Sequence, residues 1–195
     1  MQGPSLAIGI DEVGRGPLAG PVVACGVVLD ASKPILGLRD SKKLSAKARE
    51  SLSEQIRERA LLVSIVEVDS QHIDKINILQ ASLYAMSQVL SDALQRLDIS
   101  EALIDGRDRV PTRLAIKQRA IINGDNLVES IMAASIIAKV YRDNLMTAFD
   151  DVYPGYGFKQ HKGYATEIHL SALAQLGPCA IHRRSFSPVS QARLL

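Results

Sequence analysis

Cysteine is scarce in this sequence, with two among 195 residues. Cys25 sits inside an apolar run and Cys179 beside Pro178, and neither has the paired spacing of a zinc site or a redox motif. Both read as reduced and structural. An excess of one charge is equally absent: 23 Lys and Arg stand against 21 Asp and Glu, a formal net charge of +2. No global field therefore argues for a polyanionic partner, and any basic footprint must be local. Long hydrophobic runs are missing too. The longest, Pro21 to Leu29 and Ile131 to Ala138, fall far short of the ~20 residues a bilayer-spanning helix needs. Met1-Gln2-Gly3-Pro4 has neither a basic region ahead of an apolar stretch nor a small-residue cleavage pattern. The expected compartment is the cytoplasm, with no membrane contact.

What is present is a chain that is 47% hydrophobic, enough for a sizeable core without disulfides. Leu6 to Ile10 alternates large and small apolar residues and runs into Asp11-Glu12, the pattern of a buried strand ending in acids. A Gly- and Pro-rich turn, Gly14 to Pro21, leads to the β-branched run Val22 to Leu29, so the two strands read as a hairpin. From Ser45, apolar positions Ala48, Leu52, Ile56 and Ala60 recur every four residues, an amphipathic helix; Leu61 to Val68 follows as a third strand. Asn77 with Gln80 three residues on is a capping-box pattern. It heads a helix whose expected core face is Leu79, Leu83, Met86, Leu90, Leu94 and Leu97.

Ala102 to Ile104 before Asp105, and Ala120 to Ile122 before Asn123-Gly124-Asp125, are two further short strands that again end in an acid. The stretch Leu127 to Phe149 has a helical pattern, and its small residues Ala133, Ala134, Ser135 and Ala138 would allow close approach to a sheet. A last helix of about ten residues should begin near Thr166 and stop at Gly177-Pro178. With no linker, repeat or low-complexity segment, residues 1–195 read as one α/β domain with a mixed sheet of about five strands.

An acid at a strand end is commonplace, usually a turn former or helix cap. Four of them, Asp11, Glu12, Asp105 and Asp125, reached from three predicted strand ends, are harder to dismiss, because clustered anions repel unless cations hold them. Oxygen-only ligands suit Mg²⁺ or Mn²⁺ rather than zinc, and two such ions roughly 4 Å apart can activate a water and stabilise the leaving oxygen of a phosphodiester. Adjacent residues on a regular strand face opposite ways, so sharing one site requires regular geometry to end at Asp11. Gly14, Gly16 and Pro17 make a change of direction there reasonable.

The segment from Asp11-Glu12-Val13-Gly14-Arg15-Gly16-Pro17 to Val22 resembles the signature of the ribonuclease HII family. The likeness continues through Asp40 to Ser45, Ile104 to Gly106, Gly124-Asp125, Ala134 to Val140, Arg142-Asp143, Tyr156 to Phe158, His161 to Tyr164 and His182 to Phe186, and so covers essentially the whole chain. The resemblance implies a ribonuclease H-like mixed five-stranded sheet flanked by helices, with a C-terminal helical region. It implies an endonuclease that cuts the RNA strand of RNA–DNA hybrids and single ribonucleotides embedded in DNA, using Mn²⁺ or Mg²⁺. Asp11, Glu12, Asp105 and Asp125 match the family's catalytic, metal-binding acids. Gly14, Arg15 and Gly16 match the segment that reads the ribose 2′-hydroxyl, and Tyr164 matches the tyrosine at the RNA-to-DNA junction. Glycines admit close backbone approach to a sugar, and the 2′-hydroxyl is the group that distinguishes RNA locally.

Paired lysines usually form a solvated face, but with the resemblance Ser41, Lys42 and Lys43 become expected phosphate contacts, as do Lys162, Arg183 and Arg184. His161, His169 and His182 match no zinc spacing and are assigned to no metal. Asp143 reads as an ion-pairing residue as readily as a catalytic one. Asn123 stands where many relatives have Lys, and Tyr141 where Thr is common. Some relatives end in a glutamine and paired aromatics that bind a sliding clamp; Gln191 to Leu195 has no aromatic, which argues against clamp binding and leaves a monomer as the expected form. A dinucleotide fingerprint is excluded, since Gly14-x-Gly16 lacks its third glycine. A merely hybrid-binding protein would have no use for clustered carboxylates that repel nucleic acid. Another nuclease on a similar sheet, such as a resolvase or transposase, is disfavoured by Gly14 to Gly16 and His161 to Tyr164.

Overall fold

The computed structural model describes residues 5–38 and 45–192, so Ser41, Lys42 and Lys43 lie outside the described residues. Strand β1 (Leu6–Val13) pairs antiparallel with β2 (Val22–Val28), and β2 with β3 (Leu62–Val68). On its other side β1 pairs parallel with β4 (Ile99–Asp105), and β4 with β5 (Lys117–Ile121). The sheet order is thus β3-β2-β1-β4-β5, with β1 in the centre. The helices are α1 (Ala46–Arg59), α2 (Ser70–Ile76), α3 (Ile78–Arg96), α4 (Gly124–Leu127), α5 (Glu129–Val152), α6 (Phe158–His161), α7 (Glu167–Leu176) and α8 (Ser187–Gln191). No helix among the described residues is long and apolar enough to cross a membrane.

Local chemistry accounts for the helix starts. Side-chain oxygens of Ser45, Asn77 and Thr166 accept the backbone N–H of Ala48, Gln80 and His169, satisfying donors that would otherwise be orphaned at α1, α3 and α7. Gly177, with φ +71, follows α7 where the expected stop lies. Helices α2, α4, α6 and α8 were not anticipated; each is short, and two turns or fewer give little periodicity to read.

Two apolar layers cover the sheet. On one face Ile8, Ile10, Ala24 and Ile104 pack against Ala81, Ala85, Met86, Val89 and Leu90 of α3. On the other, Val23, Cys25 and Val27 meet Met132, Ala133, Ala134, Ile136 and Ile137 of α5, with Leu52 and Ile56 of α1 alongside. Each fully buried Ile contributes about 1.5–3 kcal/mol relative to an exposed one. The small residues set the spacing. A Cβ on Gly9 would overlap the backbone of Ser130 and Ile131, so α5 lies directly on β1 as its alanines suggested.

The core face of α3 keeps Met86 and Leu90 of the expected one, with Leu94 and Leu97 packed partly buried against the core, but small residues make up much of it. Leu79 is 39% exposed, and the buried stripe is Ala81, Ser82, Ala85, Met86, Val89, Leu90 and Ala93. Close approach wins over side-chain size: a Cβ on Gly26 of β2 would stand 2.5 Å from Val89 Cγ1 and 2.7 Å from Ile8 Cδ1, which leaves room only for a narrow helix face. Beyond α5, Leu18 and Ala19 of the β1–β2 loop are buried under residues of the C-terminal helices, Ala19 with Met146, Phe158 and Ala172, and Leu18 with Leu173 and Val189. The C-terminal helical region therefore seats the loop that follows Asp11 and Glu12.

Candidate active site

Strand β1 does not end at Asp11. Its ladder runs on through Asp11 opposite Cys25, Glu12 opposite Ala24 and Val13 opposite Val23. The two acids consequently leave opposite faces of the sheet. Asp11, in the same phase as Gly9, faces α5, where it takes a hydrogen bond from Ser135. Glu12, in phase with Ile8 and Ile10, faces α3. The neighbouring parallel strand β4 resolves the difficulty, for it ends in Asp105 beside them, and that carboxylate is close enough to raise the pKa of both Asp11 and Glu12. The carboxylates thus come within electrostatic reach of one another at the C-terminal ends of β1 and β4, although they leave the sheet on different faces.

Asp125 sits one step further on, on α4 and not on a strand end. Asn123 takes a left-handed conformation, φ 56, which Asn tolerates better than most residues, and turns the chain out of β5. The Asp125 N–H then donates to Asp105 Oδ1 at 3.2 Å, tying the fourth acid to the third.

Electrostatics show an anionic site short of positive charge. Burial pushes the Asp11 carboxyl up to about 8, with Glu12 and Asp105 adding to the rise and Ser135 opposing it. Burial also raises Glu12, against the pull of Arg15, whose NH1 lies 3.3 Å from Glu12 Oε1. A cleft of about 120 Å³ opens here, lined by Glu12, Arg15, Asp105, Arg107 and Asp108 with Leu79 and Met86 of α3. Among the described residues no three His, Cys, Asp or Glu side chains converge on one metal-sized point. The donor chemistry nevertheless fits a hard divalent cation: all-oxygen ligands, one of them held from ionising chiefly by its burial and then by the neighbouring Glu12 and Asp105.

The sugar-reading candidates are beside the acids. Arg15 and Gly16 are exposed and Gly14 is buried. A Cβ on Gly16 would stand 3.8 Å from Tyr164 Cε1, so the two segments that the sequence placed about 150 residues apart abut here. Lys162 is half-buried, its ammonium on Thr147 Oγ1. Arg184 is exposed, with its backbone N–H donating to Asp74.

Arg183 corrects the sequence expectation. It is fully buried, its guanidinium donating to the carbonyls of Gly14, Arg15 and Gly20, and it does not reach a phosphate at the surface. Sequence reading also passed over Arg142, equally buried and donating to Ala19, Pro21 and Lys162 carbonyls. A signal existed: Ala138, Arg142 and Met146 share one face of α5 at four-residue spacing, which puts the arginine in the buried stripe. Asp143 holds an ion pair with Lys139 at 2.7 Å.

The histidines form a buried relay. His182 Nδ1 accepts from the Cys179 N–H, so its proton sits on Nε2 and faces His169 Nε2 at 3.1 Å. His169 then carries its own proton on Nδ1 and donates to the Tyr164 carbonyl at 2.9 Å. His161 stacks on His169. Burial lowers the pKa of both His169 and His182, which are neutral, structural side chains.

Comparison with known proteins agrees with the geometry. The family model Ribonuclease HII matches residues 8–189. A Ribonuclease HII from Polaromonas sp. (strain JS666 / ATCC BAA-500) is 51% identical over 188 residues, covering 96% of this chain and 92% of that protein. The ribonuclease H2 from Pyrococcus horikoshii OT3 superposes with a TM-score of 0.78 at 25% identity over 97% of each chain. A chain of the PCNA:RNase HII complex from Archaeoglobus fulgidus does so with a TM-score of 0.77 at 27% identity over 96% of each. The chain belongs to the ribonuclease HII family, as a divalent-metal-dependent nuclease acting on RNA–DNA hybrids.

Proposed function

We propose that the enzyme cuts the RNA strand of hybrids and also incises duplex DNA at single embedded ribonucleotides, with Asp11, Glu12, Asp105 and Asp125 as the acids that hold Mn²⁺ or Mg²⁺. The observation that carries this reading is the position of Asp105, near enough to influence both Asp11 and Glu12 although they leave β1 on opposite faces. Bound there, a pair of divalent ions would supply an activated water and charge stabilisation at the leaving oxygen. The chain's own part is placement. Glu12 keeps its Oε2 for a metal ligand while Oε1 pairs with Arg15, whose exposed guanidinium stays at hand for the substrate backbone. Gly16, with no side chain, lets the ribose come against the backbone. Tyr164 offers its ring to the sugar on the other side of the scissile phosphate. Lys162 and Arg184 lie on the substrate side as phosphate contacts.

One panel tests it. Duplexes bearing a single ribonucleotide, an all-RNA strand or DNA alone are incubated with Mg²⁺ or Mn²⁺ in turn, and the product ends are analysed. Cutting at both ribonucleotide substrates, leaving 5′-phosphate and 3′-hydroxyl ends, is expected. A 2′,3′-cyclic phosphate would refute the mechanism, since it requires the 2′-hydroxyl as nucleophile.

A further inference from the structure

We infer that Arg142 and Arg183 are positioning residues, a pair of buried guanidiniums that hold Gly14-Arg15-Gly16 and the turn carrying Tyr164 in one fixed relation. This rests on the reading of those segments as the substrate's sugar readers. Arg183 donates from Nε to Gly20 O at 3.0 Å, from NH1 to Arg15 O at 2.9 Å and from NH2 to Gly14 O at 2.6 Å. Arg142 donates from Nε to Pro21 O, from NH2 to Ala19 O and from NH1 to Lys162 O, each at 3.0 Å. All six acceptors are backbone carbonyls, five in the β1–β2 loop and one in the Tyr164 turn.

The direction of those carbonyls matters. In a trans peptide the C=O and the following N–H point opposite ways. With Gly14 O and Arg15 O turned inward onto Arg183, the N–H groups of Arg15 and Gly16 turn outward, on the side where Gly16 and Tyr164 are exposed. The clamp thus presents two donors to an incoming sugar or phosphate oxygen, and the cations behind these peptides strengthen them electrostatically. Gly14 is needed for the same reason. Its φ is +94, and a Cβ there would overlap Arg142 Nε and stand 2.9 Å from Pro21 O. The two loops are also joined directly by Leu18 N–H to Gly163 O, and the backbone of Arg183 itself donates to Leu18 O, both at 2.8 Å.

Holding a loop does not by itself require charge. Two buried cations in each other's field are an expensive arrangement, and apolar packing would serve a passive role at lower cost. Burial and the neighbouring Arg142 pull Arg183 down to about 9, still cationic at neutral pH. What a guanidinium adds is a planar fork that fixes carbonyl orientation.

Arg142→Lys and Arg183→Lys keep the charge and lose the fork. Steady-state cleavage is measured on a duplex with one ribonucleotide and on the same duplex with a 2′-fluoro sugar there, alongside the melting temperature. Each variant should lose about 10- to 100-fold in kcat on the ribonucleotide, as sub-ångström misplacement does. KM should stay within about twofold, and the preference over the fluoro sugar should narrow. If activity falls only in proportion to the folded fraction, or kcat is unchanged, the proposal fails. Should neither lysine variant fold, Gly14→Ala, which retains both arginines and displaces one, must show the same split in kcat, and native kcat in it overturns the clamp. Gly16→Ala separates the two ideas. If it leaves the sugar preference intact, the ribose-reading assignment is wrong; if it abolishes the preference while Arg183→Lys does not, the clamp alone is wrong.

Discussion

The ring of Tyr164 lies against the backbone of Gly16, close enough that a Cβ added to the glycine would sit 3.8 Å from Tyr164 Cε1. Replacing Tyr164 with Ala should therefore disturb the pocket between them and little else, since the side chain is 42% exposed. Cleavage at a single embedded ribonucleotide is expected to fall about 100-fold, with a smaller loss within continuous RNA and no large change in melting temperature. Parallel loss of both activities tracking a lower melting temperature would instead show that the ring only packs.

Asp105 is the acid whose charge is felt by both Asp11 and Glu12. Asp105→Asn is nearly isosteric, so metal-dependent cleavage should drop by more than about 100-fold while the fold persists. In chelator-treated protein the variant should melt no lower than the parent, because one of several mutually repelling charges is gone. Full Mg²⁺-dependent activity would remove Asp105 from the site.

For Asp11 the folded pKa, about 8, lies above the ordinary 3.8. A raised pKa stabilises the protonated form, so its contribution is present below 3.8 and is lost as pH rises through about 8. Metal-free protein should thus gain least from this group at alkaline pH, and the increase in melting temperature on adding Mg²⁺ should grow from pH 5 to pH 8. Asp11→Asn should remove that growth. A metal-induced shift independent of pH in the parent would contradict the assignment.

His182 behaves in the opposite sense. Burial first, then the neighbouring His169, hold it down at about 4 against an ordinary 6.5, and burial lowers His169 as well. Lowered values give stability that is present above 6.5 and lost as pH falls through about 4. A second proton on the pair would set two N–H groups face to face across the 3.1 Å contact. The melting temperature should fall by on the order of 5 °C or more between pH 6.5 and 4.5, and His182→Gln should flatten that slope. An equally steep variant would place the acid sensitivity elsewhere.

The sequence alone was sufficient for most of the scaffold. The hairpin, the strands leading to Asp105 and towards Asp125, the caps at Ser45, Asn77 and Thr166, and the close-packing alanines of α5 all follow from local rules of periodicity, capping and side-chain size. The four candidate acids stood out in the sequence because three apolar runs lead towards them, although Asp125 lies in the first turn of α4, four residues past the end of β5. What local rules could not supply was relation across the chain. Alternation along β1 argued that Asp11 and Glu12 should part, and only the parallel pairing of β4 brings Asp105 close enough to act on both. Met86 and Leu90 of α3 were legible as core, but the small residues Ala81, Ala85 and Ala93 that share their face became so only with β2 and its Gly26 lying close against the helix. Arg183 read as a phosphate contact through the family resemblance; six backbone carbonyls from distant segments, assembled only on folding, are what allow it and Arg142 to be buried. A residue's partners in such a network are set by tertiary contacts, and no spacing in the sequence records them.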